Sequence, residues 1–136
     1  MSRIERGYGI NELPSSYGFD ETVARLKEEI FAEEDTIWFG EIDYQVDAAA
    51  LGVELPPLKL LLFGAPGPGA KAMSQFPRMG LDAFCQKLLV HESGDGRVTA
   101  YFNAMPAFAQ MHYGEKALPH HVINRRMGAT LSKATE

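Results

Sequence analysis

Cysteine is nearly missing from this chain: Cys85 is the only one in 136 residues. No internal disulfide can form, which excludes the stapled framework of a small secreted domain. Long apolar runs are missing as well. The run Leu60 to Phe63 is as long as any, far short of the roughly 20 residues that a membrane-spanning helix needs. The opening segment MSRIERGYGI carries no apolar signal-peptide core, so cytoplasmic residence without a membrane partner is the expectation. Positive charge is also scarce. Thirteen basic against eighteen acidic side chains leave a net charge of −5, which repels a phosphate backbone. The one basic cluster is Arg125-Arg126, and adjacent side chains on a helix point about 100° apart. That suits solvated charge rather than a groove reader, and nucleic acid is not an expected partner.

What is present is an ordinary globular composition, 46% apolar and 23% charged. A chain of this length supports one core, so residues 1–136 are expected to form a single domain of mixed helix and sheet. From Phe19 the apolar residues Phe19, Val23, Leu26 and Ile30 recur at helical spacing between charged ones, which predicts an amphipathic helix. Gly18 or Asp20 can cap it, and Asp20-Glu21 suit the positive end of its dipole. Thr36 to Ile42 is rich in β-branched and aromatic residues and reads as a strand. Gln45 to Leu51 reads as a short helical turn closed by Gly52, after which Pro56-Pro57 force extended backbone. Leu58 to Phe63, almost wholly apolar, is expected to be a central strand buried on both faces.

Gly64-Ala65-Pro66-Gly67-Pro68-Gly69 reads as a rigid glycine-rich turn before a helix starting near Ala70. No Gly-Lys-Ser/Thr follows, and each proline removes an amide donor, so a phosphate loop is disfavoured against a plain connection. Phe84 to His91 and Arg97 to Asn103 flank Ser93-Gly94-Asp95-Gly96, and the Asp-Gly step predicts an antiparallel hairpin. Alternation puts Val98, Ala100 and Phe102 on the core face and Thr99, Tyr101 and Asn103 on the other. Ala104 to Met111 can form a short helix, with a break at Gly114-Glu115-Lys116. A last helix then runs from Pro119 to about Lys133, whose stripe Ile123, Met127 and Leu131 docks on the sheet or on another subunit.

With these segments placed, the chain resembles the Domain of Unknown Function 302 family from about Phe19 to Gly114, leaving 115–136 as a C-terminal helix. The carrying residues are Glu21-Thr22-Val23 with Leu26, Glu41-Ile42-Asp43, and Ala48 with Gly52-Val53-Glu54-Leu55-Pro56-Pro57. They continue through Leu61-Leu62-Phe63-Gly64, Pro66, Met73, Leu81-Asp82, Lys87-Leu88-Leu89-Val90 and Asp95-Gly96. The resemblance implies an α+β fold: a single domain with a curved antiparallel β-sheet, helices packed on one face, and the order β-α-β-β-β-β-α. It also implies a homodimer, in a family whose biochemical role is unassigned. Tyr44 stands where the family usually has a histidine, and Ala65 where it has an asparagine before the proline. Histidine chemistry at that position is therefore not implied for this chain.

Several groups of residues could carry chemistry. Strand alternation places Glu41 and Asp43 on one face about 7 Å apart, close enough for one carboxylate to act as a base. The competing reading has Asp43 capping the next turn by accepting backbone amides. His112, His120 and His121, with Met105 and Met111 nearby, could hold haem or a metal ion, though their spacing fits no zinc or copper signature. Cys85 reads as a small apolar filler; a nucleophilic role would need a partner such as Lys87. Trp38, Phe63, Phe76, Phe84, Phe102 and Phe108 could line an apolar pocket or simply form the core.

The leading expectation is a homodimeric small-ligand-binding or accessory protein, with Glu41, Asp43, Tyr44, Tyr101 and Asn103 as the ligand-binding residues. No cofactor is specified. One alternative is a small enzyme with Asp43 or Glu41 as general base, and another is a haem or metal carrier through His112 and His120.

Overall fold

The stripe of Phe19, Val23, Leu26 and Ile30 does fold as a helix, α1 (Phe19–Ala32). Val23, Leu26 and Ile30 are buried, and Gly18 occupies the N-cap position without a side-chain cap. The computed structural model describes residues 9–82, 85–113 and 118–136, with side chains described except at 68, 69, 72, 109, 113 and 118–125. Phe84 and the break at 114–116 lie outside the described residues, as does most of the opening segment.

Five strands form one antiparallel sheet: β1 (Ile10–Pro14), β2 (Ile37–Asp43), β3 (Leu58–Gly64), β4 (Cys85–Glu92) and β5 (Val98–Asn103). Their spatial order is β1-β5-β4-β3-β2, an open sheet with β1 and β2 at its edges. Strands and long helices follow in the order β-α-β-β-β-β-α, as the resemblance implied. The shorter helices α2 (Tyr44–Ala49), α3 (Pro66–Gln75) and α4 (Met105–Tyr113) and a 3-10 turn (Pro77–Leu81) fill the connections, and α5 (Leu118–Thr135) closes the chain.

β4 and β5 are the expected hairpin. Ser93 accepts from the Gly96 amide and donates to the Arg97 carbonyl, and Gly96 takes φ +84°. A tight turn followed by a left-handed residue favours glycine there, because any Cβ would crowd the backbone. Val98, Ala100 and Phe102 are at most 3% exposed, which bears out the predicted inward face.

The core lies between one face of this sheet and the helix pair α1 and α5. It gathers Leu13, Val23, Leu26, Ile30, Leu61, Phe63, Leu88, Val90, Val98, Ala100, Phe102, Leu131 and Ala134, with Phe19, Trp38 and Met127 packed against it. The last helix therefore uses Met127 and Leu131 against its own domain, next to α1. Its C-terminal carbonyls are satisfied from the α1 side. Arg25 Nε donates to Ala134 at 3.0 Å, the Ser16 amide donates to Thr135 at 2.8 Å, and the Tyr17 hydroxyl donates to Glu136 at 3.2 Å.

Three expectations change. β3 is an inner strand with β4 as the middle one, and only one of its faces is buried: Leu61 and Phe63 point into the core, whereas Leu60 and Leu62 are half-buried. The reason is that α1 and α5 form a layer on one side only. The glycine-proline segment is not a loop ahead of a helix; α3 begins at Pro66, where a missing amide proton and a preset φ suit the first helical position. β1 was not foreseen from its residues, because in Ile10–Pro14 the two buried positions are Asn11 and Leu13, which gives alternation with a single apolar member.

Candidate functional site

The carboxylates of β2 are brought together and then occupied. Pairing in register puts Glu41 opposite Leu61 and Asp43 opposite Lys59, on the helix-covered side of the sheet. The register slips between Trp38 and Gly40, where Gly40 has φ +136°. This bulge is what lets Trp38 and Glu41 share a face although their numbers differ by three, an odd step. Glu41 is held by Lys27 of α1 at 2.9 Å, and the same ammonium lies 5.6 Å from the Trp38 ring centre. Asp43 accepts from the Val46 amide at 3.1 Å, the N-cap of α2, and stands 4.0 Å from Lys59. Both carboxylates thus have structural partners, and Tyr44 follows as the first residue of α2.

Tyr101 and Asn103 are elsewhere. They lie on β5 with their side chains on the opposite face from Phe102, so the five predicted ligand-binding residues do not share one surface. From β2 to β5 is three strand spacings, about 14 Å. Tyr101 instead belongs to a row that crosses the whole sheet on the face opposite the α1 and α5 layer. Ile42 pairs with Leu60, Leu60 with Leu89, Leu89 with Tyr101, and Tyr101 with Glu12 at the β1 edge.

Neighbouring rows differ in chemistry. Leu62 pairs with Lys87 on one side of that row, and Leu58 pairs with His91 on the other; His91 in turn pairs with Thr99. The open face is therefore apolar over β2 and β3, where Ile42, Leu58, Leu60 and Leu62 stand, and carries hydrogen-bonding groups over β4 and β5. All of Ile42, Leu60, Leu62, Leu89, His91, Thr99, Tyr101 and Asn103 are half-buried, and Lys87 is exposed. This apolar set was not foreseen. The charged Lys87, an odd position in a β4 whose even positions Leu88 and Val90 face the core, was the available sign of a solvent-facing side.

The histidine candidates separate. His112 at the end of α4 has its Nε2 at 2.6 Å from Asp82 Oδ2, and the two side chains are only 5% and 17% exposed. Arg78 Nε donates to His112 Nδ1 at 3.4 Å. With both ring nitrogens engaged, this residue ties α4 to the turn before β4 and offers no free lone pair to a metal. The side chains of His120, His121 and Ile123 lie outside the described residues. Among the described residues, no group of three or more His, Cys, Asp or Glu is gathered to hold a metal ion. Cys85 is half-buried at the start of β4.

The aromatic candidates divide likewise. Phe63 and Phe102 are core, with Trp38 packed against them, Phe76 is exposed, and Phe84 is outside the described residues. Among the described residues no helix is long and apolar enough to cross a membrane.

Comparison with known proteins agrees with this architecture. A solved structure of an uncharacterized conserved protein DUF302 from Bacillus stearothermophilus superposes with a TM-score of 0.74, covering 95% of this chain and 97% of its own, at 16% sequence identity. At that identity the likeness concerns the fold. No curated protein matches the chain. The family model described as Domain of unknown function DUF302 matches residues 11–135, which takes in both β1 and α5. On that match, the chain belongs to the DUF302 family.

Proposed function

We propose that this chain is a binding or accessory protein whose working surface is the face of the sheet opposite α1 and α5, where it holds a small ligand. The observation that carries the reading is the row Ile42–Leu60–Leu89–Tyr101, largely apolar and half-buried, on the sheet face opposite the core that α1 and α5 cover. Apolar side chains in mid-sheet gain little by facing water, and a floor of this kind with a few polar groups at one side is what small-molecule sites are made of. Tyr101 and Asn103 remain ligand-binding residues in this reading, joined by His91 and Thr99. Glu41, Asp43 and Tyr44 fall to the structural side, and a general-base role for either carboxylate is not favoured because each already serves a lysine or a cap.

The homodimer belongs to the same proposal. Its support is a second set of exposed apolar residues in α2 and the segment that follows it, where Val46, Leu51 and Val53 are 62%, 84% and 51% exposed. A second copy is the occupant that would cover it by self-complementary contact. Residence in the cytoplasm is part of this reading too, supported by a single cysteine that no internal disulfide can use.

Native mass spectrometry of freshly purified protein tests both parts. A dimer mass with an additional small bound mass is the expected result. A bare monomer overturns the homodimer, and a ligand that stays bound after Leu89→Glu overturns the assignment to this face.

A further inference from the structure

Resting on the open-face reading, we propose that the ligand is a small amphipathic anion, an alkyl chain ending in a carboxylate. The apolar floor and the cation are adjacent in register. Leu62 pairs with Lys87, and Leu89 stands two residues further along β4 on the same face, in the row with Leu60 and Ile42. The row from Ile42 to Tyr101 spans three strand spacings, about 14 Å, which accommodates an extended chain of medium length laid across the strands.

The charge pattern selects the head group. The chain has a net charge of −5, and Lys27, Lys59, Arg97 and Arg126 each pair with a carboxylate. Lys87 is exposed on the open face and forms no ion pair among the described residues. The carboxylate on that face at the paired positions is Glu12, at the far β1 edge beyond β5. An ammonium beside an apolar floor, with the Tyr101 hydroxyl and the Asn103 amide able to donate nearby, favours an anion over a cation or a neutral head. Its attraction is strengthened where the bound tail excludes water. A tail lying on Leu60, Leu62 and Leu89 gains up to about fourfold in affinity per methylene removed from water.

The test is calorimetric titration of the full chain with three probes of equal tail length, decanoate, decanol and decyltrimethylammonium, each below its micelle concentration. Decanoate is expected to bind at least tenfold more tightly than decyltrimethylammonium. Lys87→Glu, a change at an exposed position, is expected to remove that preference, weakening decanoate at least tenfold relative to decanol. Equal affinity for all three probes, or a preference that survives Lys87→Glu, overturns the anionic assignment and leaves the open-face reading standing. Failure of all three to bind overturns the open-face ligand reading itself. Sedimentation of Leu89→Glu separates the remaining occupant: if the change dissolves a dimer and no probe binds, that face belongs to a second copy.

Discussion

Leu88 and Leu89 are consecutive in β4, yet Leu88 is fully buried against the α1 side and Leu89 stands on the open face opposite Tyr101. The same side chain meets two solvents within one step of the strand. Truncation should expose the difference: Leu88→Ala is expected to cost about 3 kcal/mol, because it leaves a cavity in a packed layer. Leu89→Ala should cost under about 1.5 kcal/mol, since part of that side chain is already in water. Urea unfolding of the two variants measures this directly, and equal losses would mean that the second face is covered.

Asp82 and His112 close a contact between the turn before β4 and α4, thirty residues apart in sequence. Replacing His112 with Ala strands a partly buried carboxylate and should lower stability by about 2 kcal/mol. The backbone amides of α4 should exchange faster in the same variant. Unchanged exchange there would show that the Asp82–His112 hydrogen bond does not hold the helix in place.

Asp43→Ala removes the side-chain acceptor at the start of α2 and is expected to cost about 1 kcal/mol. Glu41→Gln breaks only a surface ion pair with Lys27 and should cost less than about 1 kcal/mol. Thermal melts of both variants check the order. A larger loss at Glu41 would contradict the assignment of these two carboxylates to a solvated pair and a cap.

In the hairpin turn, Asp95 accepts from Ser93 Oγ and from the Arg97 amide. The Ser93 hydrogen bond, then the backbone bond, hold its carboxyl below the ordinary value of 3.8. The sign follows from linkage: a depressed folded-state value stabilises above the unfolded-state value near 3.8 and is lost as the pH falls through the lower folded one. Ser93→Ala should move the Asp95 titration upward, as read by NMR of its side-chain carboxyl. A titration unmoved by that change would assign the shift to the backbone amide instead.

Gly96→Ala in the same turn places a Cβ on a residue at φ +84° and is expected to cost about 1–2 kcal/mol. Denaturant midpoints give the value. A neutral substitution would show that the turn relaxes to another type without disturbing the β4–β5 register.

Local pattern and turn chemistry were enough to determine α1, the β4–β5 hairpin and the inward set Val98, Ala100 and Phe102. Those signals depend on residues a few positions apart, and burial then followed the alternation. Asp43 as a cap was equally legible, because the amide it accepts from is only three residues on. What lay between β1 and β5, or on the second side of β3, depended on partners far away in the chain. Ile10 meets Asn103, and Leu60 meets Leu89, and no local periodicity carries that information. An apolar strand reads the same whether one or both of its faces find a helix. Only the tertiary arrangement, with α1 and α5 on a single side, decided that Ile42, Leu60 and Leu89 form a row away from the core and that Glu41 and Tyr101 look in opposite directions.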